Sequence, residues 1–383
     1  GEPTVVEGDI AVTIGTQAAT PVNSTPTVYG NVYGGSALGK VQVNEADEDQ
    51  LAKKIDVNLY GGTIQGNVFG GGLGRKAAAA VGVEGTPGYV AAVTAVEARV
   101  GGNVNVLLDG AKFDCKYTGE GDNRMPLTSQ IFGANNLNGT PKGHVKVHVK
   151  RTVDSEKDTE VARDSRTTYD VAAVYGGGNQ ADYIPVDPTP ETPLNDTEDY
   201  AEVLIEGCDL TSIEYVYGGG NAAAVPATEV TILGDYIIDY VFGGGNGKST
   251  ATFTNPGANV GQYDNGATDY GTGKAVTKLV GCHIHYVFGG SNTKGNVRGG
   301  TSVSMPEATP YPAPAYSCCN IRDVKEIYGA GNEADQDGTV TLILGCVNNM
   351  DYVYGGARNA HVKGGVDLVD RDRKSGSAGM PRP

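Results

Sequence analysis

Side chains able to act as acids and bases recur at one position of a repeated phrase in this chain. They stand two places before a repeated valine or isoleucine, and the set comprises Glu214, Asp239, His285, Lys325 and Asp351. Carboxylates, imidazole and amine are the groups used in general acid–base catalysis when they converge. If the repeats stack in register, these residues form one column, beside a second column that contains His283. A solvated strand face also carries charges at alternate positions, so the column predicts a catalytic site only if the protein is an enzyme.

The repeat that places these residues is a phrase of six positions. A β-branched residue comes first, followed by an aromatic residue, glycine, two small residues and, in most copies, asparagine. The phrase occurs nine times, beginning at Val32, Val68, Ile131, Val174, Val216, Val241, Val287, Ile327 and Val353. The segments between copies alternate apolar and polar residues and are rich in β-branched types, which favours strands over helices.

Repeat length decides between two all-β architectures. The shortest cycles run from Val216 to Val241 and from Ile327 to Val353, which is 25 and 26 residues. This length fits one coil of a parallel β-helix, a solenoid in which each coil stacks on the next. A β-propeller blade needs about 40–50 residues. Several longer spacings approach that figure, so the propeller is the alternative, but the shortest cycles exclude a complete blade. We therefore predict a parallel β-helix of about ten coils with loop insertions.

Each position of the phrase has a structural interpretation. The β-branched and aromatic side chains are expected to stack on their equivalents in neighbouring coils. The glycine at the third position, as in Gly218, tolerates positive φ and is expected to let the backbone turn a corner without a Cβ clash. The asparagine at the sixth position is expected to hydrogen-bond from coil to coil.

The rest of the chain is organised around these coils. We predict an N-terminal strand or cap region at 1–27, the repeat domain at 28–369 and a C-terminal tail at 370–383. The long interval between Val68 and Ile131 predicts a degenerate coil around 100–108. Loop-forming residues predict insertions at 44–50, 74–94, 115–129, 182–200, 249–274 and 301–316. Tyrosines in them could act as sugar-binding platforms: Tyr183, Tyr263, Tyr270, Tyr311 and Tyr316.

Charge and hydropathy exclude some classes of partner. The chain has 45 acidic and 29 basic residues, for a net charge of −16. Nucleic acid is therefore excluded as a partner, because phosphate contacts need clustered Lys and Arg. No apolar run is long enough for a membrane-spanning helix. A polysaccharide or host glycan is the partner class that we expect, and the sequence does not set the oligomeric state.

Three other features of the sequence could form ligand sites. Glu333, Asp335 and Asp337 precede Gly338 as in the start of a calcium loop, although the acidic residue that would close such a loop is missing. No other metal or cofactor is predicted. The segment 143–151 predicts a strand with a basic outer face, either solvated or open to an anionic glycan. The cysteines lack metal-binding spacing. Cys282, Cys318, Cys319 and Cys346 fall near the same corner of three successive coils, so disulfides between coils are the alternative to the buried free thiols that we favour.

Taken together, the V-[YF]-G-G-G-N runs in a glycine-rich acidic chain resemble the β-helix repeats of large secreted or cell-surface proteins from gut Bacteroidales. The resemblance covers 28–369. It implies a right-handed, pectate-lyase-like parallel β-helix and an extracytoplasmic location, and it implies no activity. The motifs of pectin hydrolases and pectate lyases are absent, and the chain has no Trp.

These observations favour a non-enzymatic secreted or cell-surface protein for adhesion, display or glycan binding. The alternative is a polysaccharide lyase or glycoside hydrolase acting on an acidic polysaccharide, with its site on the column from Glu214 to Asp351. A groove with converging acid and base groups would favour the enzyme. Evenly spaced surface charge without such a groove would favour the non-enzymatic protein.

Overall fold

The chain folds into a parallel β-helix. A computed structural model describes residues 6–18, 26–121, 124–152, 168–185, 199–206, 208–233, 235–247, 257–261, 273–305, 322–345 and 349–370. Within these residues the regular structure is β-strand, and two long parallel sheets of ten and nine strands run the length of the molecule. Strands that neighbour in each sheet come from successive coils, so the prediction of a solenoid is confirmed and no propeller is formed.

Each coil contributes one strand to each long sheet, except that the last strand, β24, has no counterpart in the second sheet among the described residues. The first sheet consists of β1 (Ile10–Ile14), β4 (Lys54–Leu59), β7 (Asn103–Asp109), β12 (Val145–Arg151), β14 (Ala201–Ile205), β16 (Thr228–Ile232), β18 (Ala275–Leu279), β20 (Thr301–Ser304), β22 (Val340–Leu344) and β24 (Val366–Asp370). The second sheet consists of β3 (Val32–Tyr33), β6 (Val68–Phe69), β11 (Gln130–Phe132), β13 (Val171–Tyr175), β15 (Cys208–Tyr217), β17 (Asp235–Phe242), β19 (Cys282–Phe288), β21 (Arg322–Tyr328) and β23 (Asn349–Tyr354).

Smaller sheets complete the described strands. A three-stranded parallel sheet joins the first three coils through β2 (Thr27–Val28), β5 (Thr63–Ile64) and β8 (Lys112–Phe113). A two-stranded antiparallel hairpin, β9 (Tyr117–Thr118) and β10 (Met125–Pro126), projects from the third coil. A longer antiparallel arm at 75–96 is joined by isolated bridges, among them Ala78–Val93 and Val81–Val90.

The core is a continuous column of aliphatic side chains. In β4 the inward residues Ile55, Val57 and Leu59 are fully buried and alternate with partly exposed polar residues. The next strand repeats this pattern in register, with Val104 beside Ile55 and Val106 beside Val57. The first residue of every phrase faces the same core, except that at Val353 on the last coil it is partly exposed. The period of two residues therefore sets which face is inside.

The aromatic residue of the phrase forms a second, external column. Neighbouring rings stack with centroids 4.6–5.0 Å apart and planes within 14° of parallel. The column comprises Tyr33, Phe69, Phe132, Tyr175, Tyr217, Phe242, Phe288, Tyr328 and Tyr354. Stacking covers the ring faces, so the interior rings are almost fully buried although they point away from the aliphatic core.

The phrase glycine avoids a Cβ clash, as predicted, but it does so without a positive φ. None of these nine glycines adopts a positive φ. Instead, in eight of the nine copies a Cβ atom would overlap the carbonyl oxygen of the equivalent glycine in the next coil, as Gly218 would overlap that of Gly243. The close approach of successive backbones therefore excludes a side chain, which is the second physical use of glycine.

Two predicted segments are corrected by the sheet pairing. The region 100–108 is not an additional coil, because β7 lies in the same coil as β11 and the interval from Val68 to Ile131 holds two insertions. The first residues of the insertion predicted at 301–316 instead form β20, which pairs with β18 and β22 in the first sheet, and residues 306–316 lie outside the described residues. Both β7 and β20 belong to the first sheet, whereas the aromatic phrase lies on the second sheet, so the phrase does not mark these strands.

Strands at both ends extend the first sheet beyond the repeat domain predicted at 28–369. Strand β1 lies inside the predicted N-terminal region and already pairs in parallel with β4 as the outermost rung. At the other end β24 pairs with β22 up to Asp370. Asp370, the first residue of the tail predicted at 370–383, therefore belongs to a strand, and the remainder of that tail lies outside the described residues.

We expect Gly218→Ala to destabilise the fold by about 3 kcal/mol, because the new methyl group must displace the backbone of the next coil. The midpoint of urea unfolding measures the change. Gly356→Ala is the matched control, since a Cβ there meets no atom within 4 Å. Equal stability of the two variants would contradict the close-approach explanation.

Candidate functional site

The predicted charged column exists on the outside of the second sheet. The residues on either side of it pair in register, Ile213 with Ile238 and Tyr215 with Tyr240, and the same pairing continues through β19, β21 and β23. The column residues Glu214, Asp239, His285, Lys325 and Asp351 therefore lie on successive rungs. The strand alternation is interrupted here, because Ile213 and Val216 are both in the core with two residues between them.

Glu214 is buried beneath the β9–β10 hairpin. Its side chain is only 7% exposed, and Arg124 donates a hydrogen bond to its Oε2 over 3.1 Å. The guanidinium of Arg124 in turn lies 3.8 Å from the ring centroid of Tyr117. Burial raises the pKa of Glu214, the hydroxyl of Tyr117 and the charge of Arg124 lower it, and the charge of Asp239 adds to the rise.

The next two rungs form a second group of interacting side chains. His285 Nδ1 lies 3.0 Å from Asp239 Oδ1, and the Tyr169 hydroxyl donates to Asp239 Oδ2 over 3.2 Å. The His285 ring stacks on Tyr286 with centroids 4.0 Å apart. Burial is the main cause of a raised pKa at Tyr169, and the negative charge of Asp239 reinforces it. Tyr169 is therefore a hydrogen-bond donor to Asp239 at neutral pH.

The remaining predicted residues are not brought together with this group. His283 lies on the neighbouring column, with its Nδ1 3.3 Å from Asp323 Oδ2. Lys325 is half-buried one rung beyond His285, and its charge acts on the hydroxyl of Tyr286. Asp351 is exposed on the last rung of the second sheet. The column therefore contains acid and base groups, but they pair along the surface rather than converge on an open groove.

The acidic turn weighed as a calcium site does not gather its carboxylates. Asp335 Oδ1 accepts from the His361 amide, whereas Asp337 bonds to Asn296 and pairs with Lys363. Glu333 is exposed. Among the described residues no group of three or more His, Cys, Asp or Glu side chains has metal-binding geometry. The acidic residues serve contacts between coils instead.

The basic outer face of β12 is neutralised by the next coil. Lys146 Nζ lies 2.6 Å from Glu202 Oε1, and His144 Nε2 lies 3.1 Å from Glu202 Oε2. Farther along, His148 Nε2 lies 2.6 Å from Glu206 Oε2. This pairing explains why the strand presents no unbalanced basic surface to an anionic glycan.

The tyrosines predicted as sugar platforms do not lie on an open surface where they are described. Tyr183 is 1% exposed and donates its hydroxyl to the Gly143 carbonyl, so it belongs to the core. The positions Tyr263, Tyr270, Tyr311 and Tyr316 lie outside the described residues. The thiols of Cys282, Cys318, Cys319 and Cys346 also fall outside the described side chains.

The second sheet also carries a cleft, which the sequence did not predict. We call it the amide cleft: it has a volume of about 240 Å³ and lies between the β9–β10 hairpin and the asparagine column. Met125, Pro126 and Leu127 form the hairpin side. The opposite side is formed by tyrosines and phrase asparagines of the second sheet: Tyr175, Tyr215, Tyr217, Asn179, Asn221, Asn246 and Asn292.

The asparagine column of the phrase forms the polar side of the cleft. Each side-chain amide donates to the carbonyl oxygen of the asparagine in the preceding coil over 2.8–3.0 Å, as predicted. The column runs through Asn136, Asn179, Asn221, Asn246, Asn292 and Asn332. A second tyrosine column runs beside the aromatic column of the phrase and comprises Tyr215, Tyr240 and Tyr286. Neighbouring rings within it stack with centroids 5.0–5.1 Å apart.

Similarity searches add no functional assignment. No protein-family model matches the chain, and no curated protein or solved structure matches it at a significant level. No helix in the described part of the chain is long and apolar enough to cross a membrane.

Sequence reasoning missed the residues that enclose the site. Arg124 and Tyr117 come from the β9–β10 hairpin, which is not part of the repeated phrase, so the repeat pattern could not place them over Glu214. Tyr169 lies before β13 and likewise has no equivalent in the phrase. The recurrence of Tyr215, Tyr240 and Tyr286 before the phrase was a usable signal for the second tyrosine column.

We expect Arg124→Met to destabilise the fold by about 3 kcal/mol, because it leaves the buried Glu214 carboxylate without its cation. The double variant Arg124→Met/Glu214→Met should recover most of this loss, since no buried charge remains. Equilibrium unfolding of both variants and the wild type measures the coupling. A double variant less stable than the single variant would contradict the proposed pairing.

Glu202 should give the fold a measurable response to acid. Burial acts to raise its pKa, but hydrogen bonds from His144 and Lys146 outweigh it and lower the pKa from 4.5 to about 2. The carboxylate therefore stabilises the folded state above the ordinary pKa, and this contribution is lost as the pH falls from 4.5 toward about 2.

Glu202→Gln should thus reduce the free energy of unfolding at neutral pH by about 2 kcal/mol, allowing for screening of a partly exposed group. The difference from wild type should shrink as the pH approaches 2, and urea unfolding across this range measures it. Glu229→Gln is the control, because Glu229 follows Glu202 in register and pairs with Lys278 at the surface. Its effect should stay below about 1 kcal/mol. A pH-independent loss at Glu202 would count against the linkage.

Proposed function

We propose that this protein is a non-enzymatic β-helix rod of the secreted or cell-surface kind and that it binds glycans on the second sheet. The observation that carries the proposal is the amide cleft, which combines side-chain amides, tyrosine edges and an apolar wall. Ligand sites of this kind join apolar surface with a few well-placed polar groups. The rigid stacking of the coils would hold such a cleft at a fixed place along the rod.

The arrangement of the charged column supports binding over catalysis. Glu214 is held by Arg124, and Asp239 is held by both His285 and Tyr169. Catalytic acids and bases need access to the reacting atoms, whereas Glu214 is almost completely buried. The secreted or cell-surface location follows from the resemblance of the repeats to those of Bacteroidales surface proteins.

A glycoside hydrolase is the second candidate, favoured by one observation. Glu214 and Asp239 occupy equivalent positions on adjacent rungs, and the backbones of adjacent strands lie about 4.8 Å apart in a parallel sheet. Retaining hydrolases hold their two carboxyl groups about 5–5.5 Å apart, with one of them protonated. The raised pKa of Glu214 would suit that acid, provided that the β9–β10 hairpin moved away.

A combined binding and turnover screen separates the two candidates. The purified chain is incubated with neutral and acidic polysaccharides, with binding followed by affinity electrophoresis and new reducing or unsaturated ends followed chemically. We expect retarded migration on at least one glycan and no product. Product that accumulates with wild type and with Glu229→Gln, but not with Glu214→Gln, would replace the rod by the hydrolase. The absence of both binding and product would reject both.

A further inference from the structure

We infer that the amide cleft binds an uncharged saccharide, with the side-chain amides of Asn179 and Asn221 donating hydrogen bonds to its oxygens. The inference rests on the proposed glycan-binding function and adds the site and the class of ligand. It departs from the acidic polysaccharide expected for an enzyme.

The hydrogen bonds made by each side-chain amide of the asparagine column distinguish Asn179 and Asn221 from the others. A side-chain amide has two N–H donors. From Asn179 onward one of them is donated to the asparagine of the preceding coil, so the acceptor of the other N–H distinguishes the coils. In Asn136, Asn246 and Asn292 it reaches a tyrosine hydroxyl, with nitrogen–oxygen distances of 2.8, 3.4 and 3.3 Å.

The tyrosine that accepts this donor always lies two coils back. Asn136 reaches Tyr33, Asn246 reaches Tyr175, and Asn292 reaches Tyr217. The corresponding ring for Asn179 is Phe69, for Asn221 it is Phe132, and for Asn332 it is Phe242. Phenylalanine has no hydroxyl to accept the donor. The sequence of the aromatic column therefore decides which amides keep a second N–H available.

Two of these three amides line the cleft. Asn179 and Asn221 are on adjacent coils at its polar side, whereas Asn332 is not part of the lining. In the part of the chain that the structure describes, neither Asn179 nor Asn221 has a protein acceptor for its second donor. A donor in this position is costly to leave unsatisfied when water is displaced, so a ligand that fills the cleft must offer oxygen acceptors.

Charge selects an uncharged ligand. Arg124 is the only charged residue among the described residues of the lining, and its charge is balanced by Glu214 at 3.1 Å. The chain as a whole carries a net charge of −16. A uronic acid or sulfated sugar would therefore be repelled at long range and find no available cation inside.

The shape of the lining suits a sugar ring lying against the hairpin. The faces of Tyr175 and Tyr217 are covered by their stacked neighbours, so these rings offer edges and hydroxyl groups rather than flat platforms. The apolar surface comes instead from Met125, Pro126 and Leu127. A pyranose fits both sides, because its C–H groups would contact the hairpin while its hydroxyls meet the amides.

The chain supplies a matched set of substitutions for a test. Phe69→Tyr and Phe132→Tyr should each place a hydroxyl where Asn179 or Asn221 can donate to it, as Tyr175 and Tyr217 do in the same column. Phe242→Tyr makes the same change opposite Asn332, outside the cleft. Thermal unfolding of all three variants shows whether the aromatic column is intact.

Binding is measured by isothermal titration with cellohexaose, mannohexaose and xylohexaose, and with hexagalacturonate as the anionic counterpart. We expect a neutral hexasaccharide to bind and hexagalacturonate not to bind. Phe69→Tyr and Phe132→Tyr should each weaken binding about 2- to 10-fold, the value of one neutral hydrogen bond. Phe242→Tyr should bind as wild type does.

The other outcomes separate this inference from the proposed function. Binding of hexagalacturonate alone would overturn the neutral-ligand inference and leave glycan binding in place. Neutral binding that Phe69→Tyr, Phe132→Tyr and Phe242→Tyr affect equally would place the ligand elsewhere on the rod. If none of the four sugars bound, the neutral-ligand inference would fall, and binding in the polysaccharide screen would show whether the broader function survives.

Discussion

Hydrogen bonding between equivalent residues of successive coils is the constraint on which the rest of the structure depends. In the first sheet Val147 lies between Val106 and Val203, and Val203 leads to Val230 in the same register. Such pairing places every side chain next to its counterpart one coil away. Like side chains must therefore tolerate being stacked, which aliphatic residues, flat rings and amides do well and isolated charges do poorly.

The exterior of the second sheet shows both solutions to this constraint. Rings and amides repeat from coil to coil and stabilise each other, because an asparagine such as Asn221 donates to the preceding coil and accepts from the following one. Acidic residues of the charged column and of the column beside it instead pair with a histidine on an adjacent rung, as Asp239 does with His285 and Asp323 does with His283. Glu202 follows the same rule on the first sheet, where it balances His144 and Lys146. Evenly stacked carboxylates would repel, so the sequence of these columns has to vary.

Insertions supply what repetition cannot. A regular solenoid has flat walls, and a cleft arises only where one coil carries an extra segment that stands above its neighbours. The β9–β10 hairpin does this, with Arg124 held over Glu214 and Met125 facing the asparagine column. The exchange of tyrosine for phenylalanine in the aromatic column adds a second, chemical irregularity. Phe69 and Phe132 leave amide donors uncommitted beside the hairpin, and the two irregularities coincide.

The nine phrases by themselves determined the parallel β-helix, the inward valines, the stacked rings and the asparagine column, because stacking in register turns a repeated sequence directly into repeated contacts. The same reasoning located the column from Glu214 to Asp351, but not what its members touch. Only the tertiary structure decided that Arg124 and Tyr169 engage this column, that the phrase glycine is needed for close approach and not for positive φ, and that β7 and β20 belong to regular coils. These features depend on distances between coils and on segments that occur once, and a repeat pattern carries information on neither.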